Sequence, residues 1–505
     1  MKKIPSRRWL SGLLRCWPLS APLSALWLAG CAMQPPAPPL TLAIPAQWQA
    51  PLPPGSDTTL PHQGSLNQLS QWWQQQNDAL LVKLIMAAEA VSPSIVSARS
   101  NIEQARAARV ASGAALRPSL DATGALTRGL PAPVNRAVPP LATTAQLGLQ
   151  ASWEIDLFGQ HSASRDADQQ RLVGSQAMWH AARVSVAAEV ASQYYSLRAC
   201  EKLLAVTRAD AASRAETARL TALGVKAGFQ APANAALARA SAAEGHGNAI
   251  QQSALCDLDV KALVALTGLA ESDLRQQLAQ ALDDSAPEAM APLISVPAQV
   301  LAQRPDIFNA AREVDAAHAE VGSALAHRYP RLTLTGAIAR SQTVSRGASL
   351  RYDTWSVGPL QLTLPLLDGG ASAANVEAAR ARYDNAAAQY RGSVRQAVKE
   401  VEEALIHLQS SADRKDDAEI AASGYASAFK ATQARYQSGM ASLVELEETR
   451  RSWLAAQSAV VSLQRERRSA WVALYRALGG GWSTASPPPP PLAADSARAS
   501  APAPL

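Results

Sequence analysis

Polar and apolar residues alternate with a period of two in four segments, which is typical of half-buried strands. In the clearest segment, eleven residues alternate without interruption from Leu147 to Leu157. That length matches the roughly 9–11 residues of a tilted membrane strand. The pattern predicts strands at about 118–128, 144–157, 331–344 and 353–366. In the last of these the apolar phase shifts at Pro359, which predicts a bulge or bend.

Each pair of strands is followed by a long segment with a helical period. It runs from Gly159 to Gly228 in the first half of the chain and from Gly370 to Gly439 in the second. A second helical arm returns from Gly228 and from Gly439. Small or apolar residues recur every seven positions, which is typical of a coiled-coil seam; two such series are Val376, Tyr383, Tyr390, Ala397, Ala404 and Ala387, Val394, Val401, Leu408. The pattern therefore predicts two long antiparallel helical hairpins.

The two halves of the chain are copies of one unit. Three pairs of matching motifs lie 212, 210 and 211 positions apart: LRPSLDATGAL with RYPRLTLTGAI, LFG with LDG, and KAGFQ with QSGMA. A nearly constant offset over three pairs is the signature of an internal duplication. We place the first repeat at 67–270, with its hairpin tip near 228, and the second at 271–482, with its tip near 439.

Composition separates the two ends of the chain from the repeats. Residues 1–30 join a basic start to an interrupted apolar run and end in Leu-Ala-Gly directly before Cys31, which predicts a signal peptide. Residues 31–66 are rich in Pro, Ala and Gln and are predicted to form an extended leader. Residues 483–505 have the composition of a disordered tail.

Bulk composition narrows the class of protein. The chain is 48% hydrophobic but only 5% aromatic, and its apolar residues are mostly alanine and leucine, which favours closely packed helices. After the signal segment, no stretch has the 18 or more apolar residues of a spanning helix, so a membrane would have to be crossed by strands. The net charge of +6 comes mainly from the signal segment; 42 basic and 41 acidic residues remain without it. This balance does not favour binding to nucleic acid.

The segment SWEIDLFGQ, residues 152–160, has two interpretations. Glu154 and Asp156 could be a catalytic carboxylate pair, or they could be the polar face of a strand. Alternation places both on one face, and we predict that they point into a water-filled lumen. The sequence contains no HExxH, GxSxG, Walker A or GxGxxG motif. We therefore expect no enzyme activity, no metal site and no cofactor.

Four segments together resemble the outer-membrane factor family, the TolC-like, NodT-type exit ducts of tripartite efflux systems. They are Cys31 with its preceding signal, LAQRPDIFNAAREVDAAHAEVGSALAHRYPRLTLTG at 301–336, SWEIDLFGQ, and ARYQSGMASLVELEETR at 434–450. The resemblance implies a mainly α fold with a small β part. It also implies a homotrimer with a twelve-stranded outer-membrane barrel and a twelve-helix periplasmic tube. Helix pairs near 67–115 and 272–330 would form a belt around this tube.

The resemblance also implies a function and partners. Such a duct passively conducts small molecules from an inner-membrane pump, expected to be of the RND type, and a periplasmic adaptor protein to the exterior. An outer-membrane duct for type I protein secretion would share the fold, and the lipoprotein signal and QRPDI segment favour efflux. By the same resemblance Cys31 would carry diacylglycerol and an N-acyl chain, with Ala32 directing the lipoprotein to the outer membrane. An ordinary signal peptide beside an incidental cysteine is the alternative.

In the family, the hairpin tips carry the channel entrance. Gly228 and Gly439 would lie at tips that contact the adaptor, and Tyr436 would be a gate residue. Glu445 and Glu448 would form acidic rings at the entrance; alternatively Glu445, Glu447, Glu448, Arg450 and Arg451 form a solvated helical face. Asn234 stands where many relatives have an aspartate, and Ala441 where some have an arginine. This puts a gate salt bridge in doubt and favours closure by Tyr436 and packing.

Two cysteines are placed symmetrically about the first tip. Cys200 and Cys256 each lie 28 residues from Gly228, so antiparallel arms would bring them level. An oxidising compartment would favour a disulfide, provided that alanine allows the helices to pack closely. The alternative is two buried reduced thiols.

Overall fold

The computed structural model describes residues 49–50, 72–75, 78–130, 140–280, 301 and 304–482. The signal peptide at 1–30, Cys31, nearly all of the leader at 31–66, and the tail at 483–505 lie outside these residues. Within them the chain is mainly helical and has one four-stranded antiparallel sheet. The expectation of a mainly α fold with a small β part is therefore confirmed.

The elements follow the order that the duplication predicts. Among the described residues, three α-helices precede the first two strands and two long helices, and two further helices precede the last two strands and three more helices. Their bounds are α1 Trp72–Gln75, α2 Ala79–Val91, α3 Pro93–Ala114, β1 Ser119–Gly129, β2 Ala142–Ile155, α4 Gln160–Lys226, α5 Pro232–Thr267, α6 Glu271–Gln280, α7 Pro305–Ala326, β3 Arg331–Ser345, β4 Ala348–Thr363, α8 Ala371–Asp413, α9 Lys415–Gln437 and α10 Leu443–Ala477.

The described residues fall into two compact units. The first contains the sheet and the helical segments within 102–174 and 310–390. The second contains the helical segments within 42–101, 175–309 and 391–505. Among the described helices, none alone is long and apolar enough to cross a membrane; α2 and α3, which are bent by 48°, meet that test only as a pair.

The sheet has the strand order β1-β2-β3-β4, and all neighbours are antiparallel. Its centre joins the two repeats, because β2 pairs with β3 from Ala142 opposite Ser345 to Ile155 opposite Leu332. Strand β4 starts earlier than the sequence pattern predicts, at Ala348 rather than 353. Arg346 and Gly347 both have positive φ and close a two-residue hairpin turn. Because the residues on either side are mostly polar, the apolar alternation does not mark this turn.

The two faces of the sheet differ in polarity. One face carries bulky apolar side chains in successive rows, and much of their surface is exposed: Leu147 is 73% and Trp355 is 79% exposed. The other carries mainly threonine, serine and glutamine, as in the row Ser152 opposite Thr335. Within the described residues β1 and β4 are both edge strands. An isolated sheet of this kind leaves two unpaired edges and an apolar face in water.

The predicted irregularity in the last strand is confirmed. The register of β3 against β4 shifts between Leu334 and Gly336, so that Gly358 and Pro359 together oppose one residue of β3. Gly358 has a φ of 102°, which a residue with a side chain rarely adopts. A proline cannot donate to the ladder, and the bulge removes the need for that donor.

Most of the predicted coiled-coil seam is buried along α8. Seven of its members are at most 4% exposed, namely Val376, Ala387, Val394, Ala397, Val401, Ala404 and Leu408. Tyr383 and Tyr390 are partly buried against Val314, Ala317 and Ala386. The heptad pattern of the sequence therefore identifies the packed face of this helix.

Asp156 caps the first helix after the sheet. Its two carboxylate oxygens accept hydrogen bonds from the backbone N–H groups of His161 and Ser162, at 3.1 and 2.8 Å. These are N–H groups of the first turn of α4, which have no partner within the helix. Glu154, two residues earlier, lies 3.3 Å from the His161 imidazole through its Oε1. Asp156 therefore has a capping role that alternation does not predict, and the lumen-facing orientation of Glu154 and Asp156 stays a prediction.

Asp368 repeats this cap at the start of α8. It accepts hydrogen bonds from the backbone N–H groups of Gly370 and Ser372, both at 2.9 Å, and from the Ser372 hydroxyl. The Ser372 hydroxyl and N–H and the Gly370 N–H lower the pKa of Asp368 to about 2. In both repeats, a carboxylate therefore begins the helix that follows the sheet.

We expect Asp368→Ala to lower the melting temperature at neutral pH, because the first turn of α8 loses its acceptor. A carboxylate with a depressed pKa stabilises the fold fully above pH ~4, and this contribution is lost as the pH falls towards ~2. The difference between wild type and variant should therefore narrow below pH ~4. Thermal denaturation of the detergent-solubilised protein measures both effects. Asp384→Ala, at an exposed position inside α8, is the control; equal melting temperatures for the two variants would contradict the cap.

Candidate functional site

The two predicted hairpin tips have the same backbone geometry. Gly228 and Gly439 have φ values of 79° and 77°, the left-handed conformation that favours glycine. In each turn the residue after the glycine donates its N–H to the carbonyl five residues earlier: Phe229 to Gly224 at 2.8 Å and Met440 to Arg435 at 2.7 Å. This is the Schellman arrangement that ends helices. Phe229 and Met440 are exposed, so each tip presents an apolar side chain.

Tyr436 is anchored to the first hairpin of the same chain. Its hydroxyl lies 2.8 Å from the Thr221 hydroxyl on α4. Thr221 also donates to the Thr217 carbonyl at 2.7 Å, so the tyrosine is the donor to Thr221. The Tyr436 ring packs against a cluster formed by Ala238, Phe429, Leu443 and Leu446. This bond and this cluster hold the end of α9 against α4.

The other predicted entrance residues have different surroundings. Glu445 forms an ion pair with Arg435 at 2.7 Å, and its backbone N–H donates to the hydroxyl oxygen of the N-cap residue Ser442 at 3.1 Å. Glu448 is exposed, and Asn234 is partly exposed in the first turn of α5. The interpretation of this segment as a solvated face is wrong for two of its members, because Arg450 is fully buried and Glu447 is nearly so.

Arg450 lies at the centre of a buried polar network in the second unit. Its guanidinium donates to the carboxylate of Glu447, one turn earlier on α10. Across the helix interface it donates to Ser213 at 3.2 Å and to Thr217 at 3.1 Å, both on α4. Its guanidinium carbon also lies 5.4 Å from the centre of the Phe429 ring on α9. One side chain therefore contacts three helices.

A second arginine extends the network to the returning arm of the first hairpin. Arg214 on α4 donates to Asp210 at 2.8 Å and to the Ser241 hydroxyl on α5 at 2.9 Å. Ser241 in turn donates to Glu447 at 2.9 Å. Two arginines and two carboxylates thus join α4, α5 and α10.

The contact between Asp210 and Arg450 is incomplete. Asp210 Oδ1 and Arg450 Nε are 3.8 Å apart, and each is buried without a hydrogen bond. Burial raises the pKa of Asp210, and the attraction of Arg214 and Arg450 offsets this only in part. The sequence does not reveal this network, because its members lie on segments more than 200 residues apart. The local signals are the i, i+3 spacing of Glu447 and Arg450 and the i, i+4 spacing of Asp210 and Arg214, and both spacings also occur on exposed helices.

Cys200 and Cys256 form a disulfide between α4 and α5, with Cα atoms 5.5 Å apart. Both residues are buried. A Cα separation of this size requires closer packing than the usual 8–10 Å between helix axes. Ala199, beside Cys200, is also buried and provides a small side chain at this level.

Arg304, from the QRPDI segment, is a structural clamp in the second unit. It donates to Asp306 at 2.7 Å, to Glu400 on α8 at 2.8 Å and to the carbonyl of Ala477 at the end of α10 at 2.9 Å. Burial lowers the pKa of Arg304, but the two carboxylates outweigh it and raise the pKa. A Cβ on Gly479 would lie 3.2 Å from Arg304, so a residue with a side chain at this position would crowd Arg304.

Known proteins match this chain over nearly its whole length. The model of the family described as outer membrane efflux protein matches twice, at residues 84–269 and 296–480. Outer membrane protein OprJ of Pseudomonas aeruginosa is 31% identical over 92% of this chain and 96% of its own. The solvent efflux pump outer membrane protein SrpC of Pseudomonas putida is 27% identical over 80% of this chain and 86% of its own.

The fold has a close counterpart among solved structures. The crystal structure of the Campylobacter jejuni CmeC outer membrane channel aligns with a TM-score of 0.77 and 22% identity. The alignment covers 90% of this chain and 96% of that one. At this level of sequence identity, the structural similarity is evidence for the fold alone.

We expect Arg450→Met to cost about 3–5 kcal/mol of stability, because it leaves Glu447 and Asp210 as buried charges with fewer partners. The double variant Arg450→Met, Glu447→Leu should cost less than Arg450→Met alone, since it removes both charges of a close pair. Arg451→Met, at the exposed neighbouring position, is the control. Denaturant or thermal unfolding of the purified protein provides the comparison. A double variant that is less stable than Arg450→Met would contradict this account.

Proposed function

The chain belongs to the outer membrane efflux protein family, and on that premise we propose that three copies of it form a passive exit channel for small molecules. Each copy would supply four strands to a twelve-stranded barrel in the outer membrane and two helical hairpins to a twelve-helix tube in the periplasm. This role requires a pore, an entrance and surfaces that bind partner proteins, and it does not require a catalytic site.

The sheet is the observation that carries this proposal. It has one apolar and one polar face, and its edge strands β1 and β4 are open. Lipid satisfies the apolar face, and closure with other copies satisfies the edges. Four strands are too few for a water-filled barrel, since even eight leave an interior filled mostly by side chains. Twelve strands from three copies meet the requirement.

Cys31 and the two hairpin tips are the expected contacts of the channel with the membrane and with its partner proteins. A lipidated Cys31 would anchor each copy to the outer membrane, and two or more acyl chains anchor a protein stably. The tips at Gly228 and Gly439 would meet a periplasmic adaptor protein, and the channel would receive its substrates through an inner-membrane pump of the RND type. The relative SrpC is named as the outer membrane protein of a solvent efflux pump, which supports efflux of solvents by this chain.

Deletion of the gene should lower the minimum inhibitory concentration of at least some members of a panel of solvents, detergents, aromatic acids, metals and antibiotics. Expression of the wild-type gene from a plasmid should restore it. Unchanged minimum inhibitory concentrations for every compound would contradict efflux of small molecules. If a secreted polypeptide were also lost from the medium, type I protein secretion would be the better assignment.

For the gate, we expect Tyr436→Ala to raise the conductance of the trimer in planar bilayers, because both the bond to Thr221 and the packing of the ring are lost. Tyr436→Phe removes only the hydroxyl and should raise conductance less. Tyr425→Ala, at an exposed tyrosine on the same helix, is the matched control. Equal conductance for wild type and Tyr436→Ala would remove Tyr436 from the gate.

A further inference from the structure

The apolar face of the sheet ends in a polar rim at the β3–β4 turn. On β3 the side chains on this face are Leu332, Leu334, Gly336 and Ile338, which span ~20 Å of strand. The next residue on the same face is Arg340. The apolar rows therefore give way to charge within one step along the strand.

Two neighbouring arginines lie on the β3 and β4 part of this rim. Arg340 pairs with Asp353 across β3 and β4, at 2.7 Å. In the next row towards the turn, Arg351 lies opposite Gln342. Diagonal neighbours of this kind are ~7–8 Å apart, so Arg340 and Arg351 can reach one ligand group.

The rim has a net positive charge. Among the described strand residues on this face, Asp353 alone is acidic, whereas Arg340, Arg351 and Arg128 are basic. The side chain of Arg340 is 76% exposed and that of Asp353 is 63% exposed, so both are accessible from the apolar side. The pair is not a buried structural contact of the kind that surrounds Arg450.

An apolar groove adjoins the rim. It has a volume of about 620 Å³, and its lining includes Leu147, Leu149 and Ile338 together with Arg340 and Asp353. Gly124, which has no side chain, leaves space beside Leu147. An apolar groove with an arginine in its lining fits a molecule that has an acyl chain next to a phosphate.

From this arrangement we propose that Arg340 and Arg351 bind a phosphate group of an outer-leaflet lipid, such as a lipid A phosphate, whose acyl chain lies in the groove. The guanidinium fork matches phosphate oxygens, and charge-assisted hydrogen bonds of this type are the stronger ones in proteins. Asp353 orients Arg340 and competes with the lipid for it. The inference rests on the proposed function, which places the sheet in the membrane with the β3–β4 turn outermost.

Native mass spectrometry of the detergent-solubilised trimer tests this inference by titration with diphosphorylated lipid A. We expect Arg340→Gln and Arg351→Gln each to weaken binding about tenfold, the effect of losing one charge-assisted contact. Asp353→Asn should tighten binding, because Arg340 is freed for the phosphate. Arg331→Gln, at the opposite end of β3, is the matched control and should bind as the wild type does.

The source of the phosphate and the fold of the variants are controlled separately. Dephosphorylated lipid A should bind more weakly than the diphosphorylated form, and excess inorganic phosphate should not displace the lipid. Gel filtration confirms that each variant is trimeric, and Arg340→Lys and Arg351→Lys provide milder changes if a glutamine variant fails to assemble.

Unchanged binding in both glutamine variants would overturn the inference, as would equal binding of dephosphorylated lipid A or displacement by inorganic phosphate. Conductance of the same trimers in planar bilayers separates this outcome from failure of the channel assignment. If the trimers conduct and the glutamine variants bind lipid as the wild type does, only the lipid site is contradicted. If the wild-type trimers do not conduct, the channel assignment is contradicted.

Discussion

The open edges of the four-stranded sheet are the constraint on which this structure depends. A strand edge that carries unpaired N–H and C=O groups must find a partner, and an apolar face must leave water. Within one copy of the described chain β1 and β4 have no such partner. The proposed symmetric assembly in a membrane would satisfy both demands together.

Duplication explains how the sheet and its helices are joined. Each repeat supplies two strands, a carboxylate that caps the following helix, and a glycine turn at the tip. Asp156 and Asp368 cap their helices in the same way from positions that differ by two residues in the repeat alignment, whereas Gly228 and Gly439 occupy equivalent places. The repeats differ where their side chains meet other helices: the disulfide joins the arms of the first hairpin, whereas Arg450 belongs to the second and contacts the first.

Features that rest on local spacing could be predicted from the sequence. Alternation identified the strands, the heptads identified the packed face of α8, and Pro359 marked the bulge. Features that rest on distant partners could not. The burial of Arg450 depends on Ser213 and Thr217, which no spacing rule connects to it. Alternation also does not predict that Asp156 caps a helix, because the cap depends on the unpaired N–H groups of the helix that begins four residues later.

The disulfide also has a mechanical consequence for the first hairpin. It closes a loop of 56 residues whose midpoint is the tip at Gly228. A covalent crosslink fixes the axial register of α4 and α5, so neither arm can slip by a helical turn past the other at that level. Fraying that starts at the tip can separate the arms only as far as Cys200 and Cys256. The bond therefore limits how much of this hairpin can open cooperatively and leaves the remainder as a fixed base from which the tip can bend.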